Sequence, residues 1–184
     1  MEMAYRANAG GKLTDRWMVW RFLSAMGLLL CVLVSRGEAA EKWLVLGNTV
    51  WVSGDSRLTL EMPSVSHPDL KITSTAAADL QWIETVVPWQ SGDVITAVGL
   101  CYRTVNSATA FISQIRLAEY LLPSPATVEH DDGTDLTSTA GECYLSPVAN
   151  YSPGGSVNLS LRLNFLSTSG EIRLGALGIR VNRP

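Results

Sequence analysis

Histidine and clustered basic residues are scarce in this sequence of 184 residues. It has two histidines, and its 14 basic residues are scattered among 17 acidic ones. Nucleic acids and anionic membranes are bound through clusters of Lys and Arg, so neither is expected as a partner. With so few histidines, and with no nucleophile elbow or paired-acid motif, a hydrolase is disfavoured. The composition therefore favours a protein that is not an enzyme.

Long apolar runs are also missing. The longest, residues 22–34, is shorter than the roughly 20 residues that a membrane-spanning helix needs. Arg16 and Arg21 precede it and small residues up to Ala39 follow, which is the order of a secretory signal. We predict a signal peptide with an extended n-region over residues 1–39 and a secreted protein, extracellular or periplasmic, with no membrane contact after cleavage. A retained anchor and a buried core helix are the alternatives.

Cysteine is represented by three residues, and one of them, Cys31, lies in the predicted signal. Cys101 and Cys143 remain as an even pair in an oxidising compartment, which predicts a disulfide. Two buried free thiols on neighbouring strands are the alternative. Two cysteines without nearby histidines do not make a metal site.

An unbroken alternation over residues 155–167 is the strongest structural signal. Its period of two places all the apolar side chains on one face of a β-strand, which must then be covered by a second apolar surface. Residues 94–104 and 109–117 show similar patterns, and Phe111, Ile115 and Leu117 are predicted to face the core. The alternating apolar residues of the strongest signal are Val157, Leu159, Leu161, Leu163 and Phe165.

The last segment, residues 171–181, changes phase within the strand. Ile172 and Leu174 share one face, whereas Leu177 and Ile179 share the other, so a β-bulge is expected near residues 175–178. Eight to ten strands separated by Gly and Pro turns fit a two-sheet antiparallel sandwich. We predict an all-β, jelly-roll-like sandwich that forms a single domain over residues 40–184. Residues 129–139 are predicted to be its longest polar loop.

The segments VPWQSGDVITAVGLCYRT, FISQIRLAEY, VEHDDGTDLTSTAGECY and VNLSLRLNF resemble uncharacterised secreted bacterial jelly-roll proteins. Those proteins are similar in architecture to carbohydrate-binding modules and to tail-fibre or adhesin tips. The resemblance covers residues 80–182. It implies the fold, and since the family has no assigned activity it implies no functional residues.

Asp131, Asp132 and Asp135 form the sharpest polar cluster, around Gly133. Carboxylate oxygens are the ligands that Ca²⁺ prefers, so these residues are candidate calcium ligands, although their spacing is not that of an EF-hand. The alternative is a solvated loop stabilised by Asx turns.

Trp89 and Tyr151 are the candidate ligand-binding aromatics. Both lie beside predicted turns, where a rigid amphipathic ring can be exposed and can stack on a sugar. The other strand aromatics are expected in the core.

Three functions remain open at this point. The first is a non-catalytic secreted module that binds extracellular glycan, or another cell-surface ligand such as a protein, through loops at one end of the sandwich. The second is a structural envelope or fibre protein that assembles as a homo-oligomer through its sheets. The third is a hydrolase. We favour the first, with calcium as the only candidate cofactor.

Overall fold

The structure is a computed structural model that describes residues 40–47, 51–62 and 69–183. The predicted signal segment, residues 1–39, lies outside the described residues, and the single domain over residues 40–184 stays a prediction. In the part of the chain that the structure describes, no helix is long and apolar enough to cross a membrane.

The described residues form strands and no helix, so the all-β prediction is confirmed. The strands are β1 (Ala40–Leu46), β2 (Val52–Ser53), β3 (Leu58–Glu61), β4 (Leu70–Ser74), β5 (Ala78–Val86), β6 (Val94–Thr104), β7 (Ala110–Tyr120), β8 (Thr127–Asp132), β9 (Glu142–Tyr151), β10 (Ser156–Phe165) and β11 (Glu171–Arg183). Sheet A has the order β3-β4-β11-β6-β9, with β1 also paired to β11, and sheet B has the order β2-β5-β10-β7-β8. Every pair is antiparallel, and the apolar faces of the sheets enclose one core, as in the predicted sandwich.

The alternating segment forms β10, the centre strand of sheet B, between β5 and β7. All five of its alternating apolar side chains are buried in the core, as predicted. Burying one Leu or Ile side chain stabilises a fold by about 1.5–3 kcal/mol. A register slip of one residue would expose the whole set, so β10 fixes the pairing of sheet B.

The change of phase in β11 is resolved by the predicted bulge. Its pairing with β6 shifts register between Leu174 and Leu177, and both residues are buried in the core. Two residues of β11, Gly175 and Ala176, lie opposite one residue of β6, Cys101, and this one extra residue turns the apolar face of the strand inwards on both sides of the bulge.

Two predictions about local structure are wrong. The residues expected to begin the long polar loop belong to β8, the edge strand of sheet B, because Asp131 and His130 pair with β7. Phe111 does not share the inward face of Ile115, because the β7–β10 pairing shifts register at Ser113. This bulge turns Ile112 into the core and pairs Phe111 with Asn164 on the outer side.

Candidate functional site

Trp43 lies on the outer face of sheet A, away from the core. In β1, Leu44 and Leu46 pack against the core, so the two-residue period of the strand points Trp43 and Val45 outwards. The Trp43 side chain is 48% exposed. An indole ring is therefore presented to solvent on the face of a sheet.

Gly99 of β6 and Gly178 of β11 are direct cross-strand partners, and they form the floor beneath the Trp43 ring. A Cβ atom at Gly99 would lie 2.9 Å from Cζ3 of Trp43, and one at Gly178 would lie 2.9 Å from its Cε3. The backbones of β1 and β6 lie on either side of β11, about 10 Å or two strand spacings apart, so the ring reaches β6 by crossing over β11. The ring thus lies along the backbone of both strands and keeps its other face open.

Polar side chains line a cavity of about 440 Å³ on the same face, which we call the polar section. Arg180, the cross-strand partner of Trp43, donates a hydrogen bond of 3.0 Å from Nε to Oγ1 of Thr96. The Arg180 guanidinium also forms a 3.0 Å ion pair with Glu41. These groups retain further donors and acceptors for a ligand. The section is lined by Glu41, Thr96, Pro147, Val148, Asn150, Arg180 and Asn182.

A second cavity, of about 280 Å³, includes Trp43 itself and is called the apolar section. Leu145 of β9, the partner of Gly99, lines it and is half exposed. The disulfide between Cys101 and Cys143 also lines it and confirms the predicted pairing. The described residues that line the section carry no charge; they are Trp43, Val45, Gly99, Leu100, Cys101, Cys143, Tyr144, Leu145, Ala176, Leu177 and Gly178.

A third cavity, of about 390 Å³, shares the disulfide with the apolar section and is called the charged section. Its Arg173 forms ion pairs with Asp69 at 3.0 Å and Glu171 at 2.6 Å. Arg103 is the direct cross-strand partner of Arg173. The section is lined by Asp69, Cys101, Tyr102, Arg103, Gly141, Glu142, Cys143, Arg173 and Gly175.

The three sections follow one another along β11 and β6, and together we call them the groove. Asn182 in the polar section and Arg173 in the charged section are separated by about 30 Å of strand. The charged residues that line the groove are three arginines and three carboxylates. Its lining is therefore balanced in charge, although the chain as a whole carries −3. This combination suits an extended, uncharged ligand.

The predicted ligand-binding aromatics, Trp89 and Tyr151, lie together at the turn between β9 and β10. Nε1 of Trp89 donates a hydrogen bond of 2.9 Å to the carbonyl oxygen of Gly155, and both rings pack half-buried against the core. Burial and the nearby Glu119 carboxylate raise the pKa of the Tyr151 hydroxyl. Neither ring lines a section of the groove. Their role in binding stays a prediction.

Trp82 is another aromatic residue on a sheet face. It belongs to β5 in sheet B, and the Arg116 guanidinium carbon lies 5.0 Å from the centroid of its ring. Arg116 is held in turn by a 3.1 Å ion pair with Asp131. A guanidinium already occupies one face of this ring, whereas the outer face of Trp43 is open.

The three predicted calcium ligands point in different directions. Asp131 and Asp132 are neighbours in β8, so their side chains project to opposite faces. Asp131 pairs with Arg116, Asp132 faces β9, and Asp135 is exposed beyond the strand. Among residues 40–47, 51–62 and 69–183, no three His, Cys, Asp or Glu side chains are grouped to hold a metal ion. Calcium binding stays a prediction that requires this segment to rearrange.

Asp132 is the centre of a polar cluster between β8 and β9. It accepts hydrogen bonds from Ser146 at 2.5 Å and Tyr144 at 2.9 Å, and from the Thr134 hydroxyl at 2.7 Å. Burial raises the pKa of Asp132, but these hydrogen bonds outweigh burial and hold it at about 2. Nε2 of His130 lies 2.7 Å from the Ser146 hydroxyl, and burial lowers the pKa of this histidine. Ser146 is fully buried and donates to Asp132, so its hydroxyl is not accessible and the cluster links two strands.

The sequence around Trp43 gives little indication that its ring lies on an open sheet face, because the residues beneath the ring are distant along the chain. A glycine inside a strand marks a place where another group approaches the backbone closely. Gly99 and Gly178 both lie within predicted strands, and these two glycines are the sequence feature that could have indicated a close approach. Only the register of β6 and β11 shows that the two glycines face each other beneath the same ring.

No protein-family model matches the sequence, and no curated protein matches it. Solved structures do share its fold. One is the CBM22-1 xylan-binding domain of Xyn10C from Paenibacillus barcinonensis, with a TM-score of 0.56 and 10% identity over 80% of this chain and 99% of that chain. Another is the arabinose-bound MgGH51 α-L-arabinofuranosidase, with a TM-score of 0.50 and 14% identity over 80% of this chain but only 27% of that chain. By fold, the chain is a β-sandwich with the architecture of carbohydrate-binding modules.

Proposed function

We propose that this protein is a non-catalytic, secreted glycan-binding module whose ligand lies along the groove on sheet A. The observation that carries the proposal is the Trp43 ring, which lies on Gly99 and Gly178 with its outer face open. A flat aromatic surface of this kind can support the C–H face of a sugar ring and remove apolar area from water.

The polar section supplies the second part of glycan recognition. Hydroxyl groups of a sugar both donate and accept hydrogen bonds, and the ion pair of Glu41 and Arg180 offers both kinds of partner beside the Trp43 ring. Asn182, whose cross-strand partner is Glu41, adds an amide. A few polar groups placed around an apolar surface are typical of small-molecule sites.

The charge balance of the groove supports an uncharged glycan over an acidic one. Arg180 and Arg173 are each paired with a carboxylate of the fold, so an acidic sugar would have to compete with a partner already in place. The xylan-binding domain to which the chain is similar supports the general class of ligand, while the glycan itself is left open.

Trp89 and Tyr151 define a rival ligand site within the same function, where the ligand would contact the turn between β9 and β10. Calcium binding by Asp131, Asp132 and Asp135 is a separate proposal. Leu136, next to Asp135, bridges Ile112 of β7, whereas the turn lies against Tyr120 at the other end of that strand, about 25 Å away. The two ligand sites differ in the tryptophan they require.

Self-assembly is the second candidate function. Tyr120, Leu121 and Leu122 are consecutive exposed apolar residues at the end of β7, and the Leu122 side chain is 92% exposed. Exposed apolar patches mark interaction surfaces. Light scattering across a hundredfold range of protein concentration tests this candidate: a growing oligomer in the absence of glycan favours it over the binding module.

The deciding experiment compares the purified protein with its Trp43→Ala and Trp89→Ala variants on a broad glycan array, with calcium and with chelator. Loss of binding in Trp43→Ala alone, unaffected by chelator, supports the groove. Loss in Trp89→Ala alone places the ligand at the turn between β9 and β10, and loss of binding with chelator supports the calcium proposal. Silence of the unmodified protein on the whole array contradicts glycan binding.

A further inference from the structure

The lining of the apolar section is poor in the hydrogen-bonding groups that an unsubstituted sugar chain needs. Among the described residues that line the section, no side chain carries a charge and Tyr144 alone has a hydroxyl. That hydroxyl is engaged elsewhere, because it donates to Asp132 at 2.9 Å and lies 3.2 Å from the Thr134 hydroxyl. Apart from the indole N–H of Trp43 itself, the described residues that line this cavity of about 280 Å³ therefore offer no free side-chain hydrogen-bonding group.

The chemistry of the lining selects what can occupy it. A sugar hydroxyl placed there, away from the Trp43 N–H, would lose its hydrogen bonds to water without replacing them, which is unfavourable. A methyl group in the same place would leave water for an apolar surface, which is favourable. The absence of charge in the lining complements an uncharged, apolar group.

The apolar section lies where a substituent of the proposed glycan could reach it. Trp43 lines the apolar section and is the cross-strand partner of Arg180, which lines the polar section. Leu145 and the Cys101–Cys143 disulfide lie on the side of β6 away from Trp43, since β9 is the next strand. A sugar stacked on Trp43 can thus direct one substituent onto this surface while its hydroxyls reach the polar section.

We propose that the apolar section binds an apolar substituent of the glycan, an O-acetyl or O-methyl group carried by the sugar that stacks on Trp43. This inference rests on the proposed function, because it names the class of glycan that the same groove selects. The ligand is a substituted, uncharged polysaccharide, and its unsubstituted form binds more weakly.

The experiment uses a glycan array of matched oligosaccharides of xylose, mannose and glucose, each prepared in O-acetylated, unsubstituted and O-methylated form. Burial of one methyl group corresponds to about fourfold in affinity, so the substituted members should bind at least fourfold more tightly. A preference for both substituents identifies the methyl group as the feature recognised, and a preference for acetyl alone assigns the site to the ester.

A matched pair of variants localises the effect. Leu145→Asn, at a residue 47% exposed in the apolar section, should reduce the ratio between substituted and unsubstituted members towards one. Val128→Asn, at a residue 50% exposed in sheet B, should leave the ratio unchanged. Equal binding of all members by the unmodified protein overturns this inference and leaves glycan binding standing, whereas no binding to any glycan overturns both. A ratio unchanged in Leu145→Asn also overturns the inference.

Discussion

The Ser146 hydroxyl of β9 donates a hydrogen bond of 2.5 Å to the Asp132 carboxylate of β8, and this contact joins the edge strands of the two sheets. No β-pairing connects β8 to β9 among the described residues. The open edge of the sandwich is instead closed by side chains, with Tyr144 and His130 adding to the contact. Such buried polar contacts depend on each member keeping its partner.

Acid should therefore weaken this edge. The pKa of Asp132 is about 2 in the folded protein and near 3.9 in an unfolded chain. Because the Asp132 pKa is lower in the folded protein, its carboxylate stabilises the fold at pH values above the unfolded pKa. That contribution is lost as the pH falls from about 4 to 2. We expect Asp132→Asn to lower the free energy of unfolding by about 2 kcal/mol at pH 7 and to flatten its acid dependence.

Urea titrations at pH 7, 4 and 2.5 measure this effect. Asp131→Asn is the matched control. The Asp131 carboxylate makes an exposed ion pair with Arg116, so its substitution should change the free energy of unfolding by less than about 1 kcal/mol. Equal effects of the two substitutions at pH 7 would contradict the role assigned to Asp132.

A side chain beneath the Trp43 ring should disturb the groove more than the fold. In Gly99→Ala the new Cβ would lie 2.9 Å from Cζ3 of Trp43, so the exposed ring has to lift. We expect a red-shifted tryptophan emission and at least tenfold weaker glycan binding, measured by fluorescence and calorimetry. Gly133→Ala is the control, because a Cβ there meets nothing within 4 Å. Unchanged emission and binding in Gly99→Ala would show that the ring does not depend on this floor.

Removal of the disulfide should destabilise the protein. Cys101 and Cys143 are 42 residues apart, and closing a loop of that length stabilises a fold by about 4 kcal/mol in the chain-entropy model. We expect the double substitution Cys101→Ser and Cys143→Ser to lower the free energy of unfolding by a similar amount. Thermal and urea denaturation measure this change. A reductant should lower the stability of the unmodified protein but not that of the variant. A variant as stable as the unmodified protein would refute the prediction.

Trp89 is expected to matter for stability. Its ring packs against the core and its Nε1 bonds to Gly155, so Trp89→Ala should lower the free energy of unfolding by about 2 kcal/mol or more. Trp43→Ala removes an exposed ring and should lower it by about 1 kcal/mol or less. Denaturation and glycan titration of both variants separate the roles. A Trp89→Ala protein of full stability that no longer binds glycan would support the rival site.

The centre of each sheet could be predicted because its residues follow the period of a strand. β10 alternates apolar and polar residues without a break, and the phase change in β11 predicted its bulge correctly. β8 was missed because its inward residues, His130 and Asp132, bond to Ser146 rather than entering an apolar core. An apolar period cannot detect a strand whose buried side is polar.

The groove could not be predicted for a different reason. It depends on register, which brings Gly99 and Gly178 beneath Trp43 and places Arg180 beside it. None of these residues is close to the others in sequence, apart from the two on β11. The predicted pair Trp89 and Tyr151 followed from nearby turns, and the structure places it at such a turn, packed on the core.

β11 and β10 lie at the centres of the two sheets, and this position determines when the strands can pair during synthesis. These are the last of the described strands in chain order, and every other described strand pairs, directly or through a neighbour, with one of them. Contacts of high sequence separation form slowly and late. Earlier strands therefore remain without their central partners until β10 and β11 have been synthesised, and a chain that ends before Glu171 lacks the middle of sheet A.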